Sequence, residues 1–282
     1  MNKKLHVLLL LAFGASAISC NKDMTDVDLS GSKEIVLTVK DPLIEAQVTT
    51  KTTAITSLPS SLYLAGTTGT TSQTKKWDSV SKTVSSGKIS TGYYQTATAT
   101  SYNYYLSNVA ITYASGGNTI TADGTSLDVV AGVAKASTST SPSVTLNHIF
   151  ARTGTLSATS SSGYTLSNLS YKLKSNGTNT GTKGTYNIYT GAWSSVTALS
   201  EQSVTSSSNL FLTPGSYTLT VSGTMAKGDY SSSFSGSVAV TLVAGKVNNI
   251  SASISGGGAT EIVVSTTLTS WGTTTLTPTI TL

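Results

Sequence analysis

The feature that most limits what this chain can become is a hydrophobic period of two that never turns into a helical stripe. In Glu34-Ile35-Val36-Leu37-Thr38-Val39-Lys40, the side chains of Ile35, Leu37 and Val39 share one face, and the run is bounded by Gly31 and by Asp41-Pro42. Short runs of the same kind recur at Leu62–Ala65, Tyr104–Leu106, Val109–Tyr113, Leu127–Val130, Val144–Phe150, Leu166–Leu173 and Tyr186–Tyr189. They continue at Tyr217–Val221, Val238–Val243, Val247–Ile254, Glu261–Leu268 and Leu276–Leu282. Turn-forming clusters such as Ser115-Gly116-Gly117-Asn118, Ser175-Asn176-Gly177 and Pro214-Gly215 lie between them. A dozen short strands at this spacing predict an all-β protein of antiparallel β-sandwiches. Composition agrees. Only 10% of residues are charged, yet 38% are hydrophobic, so the chain lacks the high charge density of a disordered segment. Thr and Ser supply the polarity, and Thr packs well on a pleated surface.

The first twenty residues follow another rule. Met1-Asn2-Lys3-Lys4 is a positive start, Leu5 to Phe13 is apolar, and Gly14-Ala15-Ser16-Ala17 are small. That is the order of a signal peptide, and its apolar stretch is shorter than the roughly 20 residues a bilayer span needs. The one Cys of the chain, Cys20, follows in Ala17-Ile18-Ser19-Cys20, which resembles a lipobox. A lone Cys excludes an internal disulfide and leaves acylation as its natural role. Several acyl chains at one residue give stable anchoring to the outer membrane, at the cell surface. Asn21-Lys22-Asp23 opens a polar tether, and its Lys-Asp pair resembles the surface-export signals of Bacteroidetes lipoproteins.

Several chemistries are excluded. His6 lies in the leader, so the mature chain keeps only His148, too few Cys and His for a zinc site or a Cys-His dyad. His148 alternates in line with Val144, Leu146 and Phe150, which predicts a core histidine. The acids Asp78, Asp123, Asp128, Glu201, Asp229 and Glu261 sit in no catalytic motif, and Asp123 to Asp128 reads as a turn entering a strand and not as a calcium loop. The net charge of +5 is dispersed, with Lys75-Lys76 the one adjacent basic pair outside the leader and no Arg cluster, so nucleic acid is not an expected partner. The chain is read as non-enzymatic, with no catalytic residue, metal or cofactor.

Residues 1–20 are therefore expected to be leader and 21–51 a tether plus one strand. Two β-sandwich domains then span 52–141 and 142–282, with the boundary in the polar run Lys135 to Ser143.

Taken in order, several stretches resemble the fimbrillin-like proteins of Bacteroidales, the subunits of type V pili. Val144-Thr145-Leu146-Asn147-His148-Ile149-Phe150-Ala151-Arg152 resembles that family's "L-x-H-x-x-A-R" strand. Ser101 to Leu106, Thr125 to Gly132 and Leu268-Thr269-Ser270-Trp271 resemble its aromatic strand, its "D-hydrophobic-hydrophobic" strand and its C-terminal Trp strand. The resemblance implies two transthyretin-like sandwiches, export as a lipoprotein, and proteolytic loss of an N-terminal strand. A neighbouring subunit's C-terminal strand then fills the vacated slot. It places the removable strand at Ile35, Leu37 and Val39, the cut after Lys51, and the donor strand at Leu276, Ile280 and Leu282. The partners so implied are like or related fimbrial subunits, the outer membrane, and an adhesion ligand on a host or bacterial surface. One departure stands out. The family is cut after Arg, whereas the only Arg here is Arg152, mid-chain. An uncut anchor or accessory subunit therefore stays open as an alternative. So does a surface glycan-binding lipoprotein using Trp77, Trp193 and the Tyr93-Tyr94 pair.

Overall fold

In the computed structural model, which describes residues 32–40, 57–95, 100–160, 163–205, 208–255 and 261–270, every extended regular element is a strand. The first half contributes β1 (Lys33–Lys40), β2 (Ser61–Thr68), β3 (Thr74–Thr83), β4 (Lys88–Gln95), β5 (Tyr102–Ser107), β6 (Thr119–Asp123), β7 (Val130–Ser137), and the short β8 (Ser143–Thr145) and β9 (Asn147–His148). The second half contributes β10 (Ala151–Ser160), β11 (Thr165–Ser175), β12 (Lys183–Asn187), β13 (Trp193–Thr197), β14 (Gln202–Val204) and β15 (Phe211–Leu212). It ends with β16 (Gly215–Lys227), β17 (Tyr230–Leu242), β18 (Lys246–Ser255) and β19 (Glu261–Ser270).

Alternation becomes layers because each sheet has an apolar face to cover. A three-stranded sheet, β4-β1-β8, lies over a five-stranded sheet, β3-β2-β5-β7-β9. Ile35, Leu37, Ile89 and Val144 from the first meet Leu62, Leu64, Tyr104 and Leu106 from the second. In the second half, β15-β10-β18-β19 faces β14-β11-β16-β17 around Leu156, Leu173, Tyr217, Leu219, Phe234 and Ile250. A fifth, three-stranded sheet, β13-β12-β6, joins a strand of the first half to two of the second. Its Ile120 and Ala122 pack with Tyr105, Phe150 and Phe211 in a middle cluster. The five-stranded sheet is thus covered on both faces, which is why Tyr104 and Tyr105, adjacent in β5, are both fully buried.

The antiparallel sandwich expectation holds for most of the ladder, with two exceptions. β1 runs parallel to β8, and β10 runs parallel to β18. Parallel pairs need long crossovers, and local periodicity carries no trace of them. Some local readings also shift. Val109–Tyr113 holds only an isolated bridge, Thr112 to Thr119. The chain turns after Asn187, whose Oδ1 accepts the amides of Tyr189 and Thr190 at 2.9 and 3.0 Å, so Tyr186–Tyr189 is not a strand throughout. Within the polar run Lys135 to Ser143, β7 continues to Ser137.

Two buried phenols mark the centres of the sandwiches. Burial pushes the hydroxyls of Tyr104 and Tyr217 up to about 12, from 10.0. Tyr217 Oη also donates to Thr213 O at 2.7 Å. Because folding favours the neutral phenol, this stability is complete below pH about 10 and falls as pH rises from about 10 to about 12. Ultraviolet titration should show these two, of thirteen tyrosines, ionising last. All thirteen titrating together near 10 in the folded protein would contradict it.

Candidate functional site

The element with the least ordinary position is β1. It is the first described strand, yet it sits in the middle of its sheet, antiparallel to β4 and parallel to β8. Its period-two pattern drives Ile35 and Leu37 to 0% exposure and Val39 to 5%. Main-chain bonds hold both sides: Val36 N donates to Thr140 O and Thr38 N to Pro142 O, each at 2.9 Å. Val39 N donates to Gly87 O at 2.8 Å, and Lys40 O accepts Leu146 N at 3.1 Å. Thr91 Oγ1 donates to Ile35 O at 2.7 Å. At the outer end, the Glu34 carboxylate accepts the Ser90 hydroxyl and the Gly92 amide, which together hold its carboxyl below the usual range. Without β1 the slot would present two unpaired rows along β4 and β8, where Ile89 and Val144 stand, above an apolar floor of Leu62, Leu64 and Tyr104.

One wall of this slot is fastened independently of β1. Trp77 of β3 stacks on Tyr93 of β4 with centroids 4.4 Å apart. It also meets Tyr102 and Tyr104 of β5 at 5.0 and 5.7 Å. Gly66 leaves room for the indole, since a methyl group there would overlap the ring. β4 is therefore tied to the five-stranded sheet through aromatic contacts as well as through β1. These contacts also bear on the glycan expectation. Trp77 and Tyr93 face each other, Tyr94 points outward at 51% exposure, and Trp193 packs elsewhere, against Phe150 and Tyr186 at 5.1 and 5.2 Å. The four aromatics do not form one platform.

His148 lies in the core, as its alternation predicted, at 6% exposure. Its Nδ1 is 3.0 Å from Asp128 Oδ2, and Asp128 is fully buried. Sequence reasoning missed this partnership, although an acid inside the apolar run Leu127-Asp128-Val129-Val130 needs a partner once buried. Burial lowers the pKa of the Arg152 guanidinium, whose Nη2 donates to Asn209 Oδ1 at 2.8 Å. Asp123 Oδ1 accepts the amide and hydroxyl of Thr125 at 2.9 and 2.6 Å, closing a turn. Among the described residues no three His, Cys, Asp or Glu side chains gather as a metal site would require. Among them, too, no helix is long and apolar enough to cross a membrane.

Cys20, Lys51, Leu276, Ile280 and Leu282 lie outside the described residues. Of the expected site residues, Ile35, Leu37 and Val39 are brought together, on one face of a central strand.

Stacked sheets, with the first described strand central and bonded on both sides, define a β-sandwich protein. No family model and no curated protein matches the sequence. Among solved structures, a candidate cell adhesion protein from Parabacteroides distasonis aligns at TM-score 0.50 and 11% identity, over 85% of this chain and 96% of that one. A candidate cell adhesion protein from Bacteroides uniformis aligns at TM-score 0.47 and 14% identity, covering 86% and 98%. A fimbrial assembly protein from Parabacteroides distasonis aligns at 0.41 and 12%, covering 84% and 99%. The match at TM-score 0.50 speaks for a shared fold.

Proposed function

We propose that this chain is a non-enzymatic structural subunit of a cell-surface fimbria, exported as a lipoprotein through Cys20 and joined to like or related subunits by strand exchange. The observation that carries the reading is the seat of β1. A strand at the start of the chain, centred in its sheet, can be removed by one cut in the segment that follows and replaced by another chain's strand. The cut falls after Lys51, and the replacing strand is the neighbour's Thr273 to Leu282, anchored by Leu276, Ile280 and Leu282. Support for a surface role comes from the fold shared with the Parabacteroides distasonis candidate cell adhesion protein. The folded part is taken as sandwiches at 52–141 and 142–282: the cluster around Leu156, Leu173 and Tyr217 lies wholly in the second, while the cluster around Leu62 and Tyr104 also draws in Val144 and Leu146 from just past that point.

A second reading is favoured by one fact. The residue at the expected cut is Lys51, whereas the only Arg, Arg152, is 7% exposed within β10. An uncut chain keeps β1 and its lipid and acts as an anchor or accessory subunit. N-terminal analysis of protein purified from cells separates the two: Thr52 marks a matured subunit, acylated Cys20 an anchor. Cys20→Ala should abolish fatty-acid labelling and move the protein out of the membrane fraction. Unchanged membrane fractionation of that variant would remove the lipoprotein reading.

A further inference from the structure

A sheet edge invites pairing with another chain unless something guards it, and most edges of this molecule are guarded. β6, β8, β9, β13, β14 and β15 are five residues long or shorter. β4 is irregular, with a register shift against β1, and β19 begins at a charge, Glu261. β3 carries Lys75, Lys76 and Lys82, and the segment after β5 lies along it. There Ser79 Oγ accepts the amide of Ile111 at 3.0 Å, and Tyr113 Oη donates to Gln73 O at 2.7 Å.

β17 differs on each count. Its 13 residues, Tyr230–Leu242, pair with β16 in unbroken register and include no charge and no proline. It ends its sheet, so among the described residues no strand bonds to its outer side. Phe234, Val240 and Leu242 are buried on the core face, whereas Ser231, Ser233, Ser235, Ser237, Ala239 and Thr241 are exposed on the other.

The order of residues along β17 names the occupant. Gly236 is the midpoint of the strand. A second copy laid antiparallel about a two-fold axis through Gly236 pairs every residue from 230 to 242, with no overhang at either end. Even numbers then meet even and odd meet odd, so both core faces stay on one side and both hydroxyl faces on the other. Phe234 stands opposite Val238 of the second copy, Ser235 opposite Ser237, and Ser233 opposite Ala239. No charge opposes another. At the axis Gly236 meets itself, with no side chain to hold the two backbones apart. Such a ladder makes about twelve main-chain bonds over about 40 Å, on the level of the roughly ten hydrogen bonds of a stable interface.

We propose that β17 is a homotypic docking edge, through which two copies of this chain join β14-β11-β16-β17 and its two-fold mate into one continuous sheet. The two-fold closes on itself, so the product is a dimer and not a ladder. β17 belongs to the second sandwich and β1 to the first, so the contact is separate from strand exchange. In a fimbria it holds neighbouring fibres side by side.

The test is sedimentation velocity of the uncut mature chain, residues 21–282, which carries no lipid and keeps β1 seated, so that neither anchor nor strand exchange drives association. The share of dimer should rise with concentration. Ser233→Lys with Ala239→Lys, both at exposed positions, sets lysine opposite lysine twice and should weaken dimerisation about tenfold at unchanged thermal melting. Ser233→Glu with Ala239→Lys sets unlike charges opposite each other at the same two places and should restore the dimer to wild-type strength or beyond. Within one chain the two positions lie about 20 Å apart along the strand, so the two-fold register alone produces this reversal. A wild type that stays monomeric up to its solubility limit overturns the proposal. So does a dimer that forms only once residues 271–282 are removed, since the chain's own tail then occupies the edge. Equal dimerisation of the wild type and both double variants overturns it as well.

Discussion

Chains that begin at Thr52 should assemble into ladders on native gels, and chains that begin at Thr52 but stop at Gly272 should not. Loss of β1 uncovers the seats of Ile35, Leu37 and Val39, each worth about 1.5–3 kcal/mol when filled. It also uncovers the main-chain partners at Gly87, Thr140, Pro142 and Leu146. The aromatic contacts of Trp77 with Tyr93 keep β4 in place, so the slot persists for an incoming strand. A neighbour's Leu276, Ile280 and Leu282 offer alternate apolar side chains, and Pro278 sacrifices one ladder bond. Release must expose the whole row at once, so the joined state should survive native electrophoresis without a covalent link. A synthetic peptide of residues 32–42 should occupy the slot and suppress the ladders. Ladders that form equally with and without residues 273–282 would rule out the mechanism. A trimmed chain that stays monomeric would favour the anchor or the glycan-binding reading.

Asn248→Ala should lower unfolding free energy by about 3 kcal/mol, the scale of leaving several buried main-chain groups without their partner. Asn248 is fully buried on β18, and its Nδ2 donates to Arg152 O at 3.1 Å, Lys246 O at 3.0 Å and Val243 O at 3.3 Å. Its Oδ1 accepts Val243 N at 3.0 Å. One amide thus closes the turn between β17 and β18 and ties it to β10. Alanine leaves these groups buried without that partner and opens a gap beside them. Urea unfolding measures the change through a lower midpoint at constant slope. Asn176→Ala is the control: Asn176 is exposed and its amide reaches Ser216 Oγ only at 3.4 Å, so its effect should stay within about 0.5 kcal/mol. An Asn248 variant within about 1 kcal/mol of wild type would show that main-chain pairing alone secures this turn.

Period two made the fold class legible because most core strands bury one face and alternate visibly. Ile35, Leu37 and Val39 were readable for that reason, and all three are buried. β3 escaped because Thr74–Thr83 is a largely exposed edge strand whose polar residues obscure the alternation. β10 escaped for the opposite reason. Flanked on both sides, it buries Ala151, Arg152, Thr153 and Gly154 in succession, and small residues give no apolar stripe. Gly154 has little room for a side chain, since a methyl there would crowd Val247 and Asn249. What lies beside β1 was not readable at all. β8 is three residues long and joins by a parallel pairing whose partner is remote in sequence. Nor could spacing reveal that Tyr186 meets Trp193, because that depends on the register of β12 against β13.

The parallel pairing of β1 with β8 bears on the order in which the molecule closes. A chain delivered N-terminus first presents β1 long before its neighbours exist, since Thr38 pairs with Ser143, about a hundred residues later. β6 waits in the same way for β12, whose Lys183 pairs with Asp123 about sixty residues on. The first of the described strands is thereby fully seated only once the chain has run some hundred residues past it. Once that seat is complete, β1 reaches it as a tethered segment of its own chain, ahead of any foreign strand of matching alternation, so a replacement from outside must wait until the tether is cut.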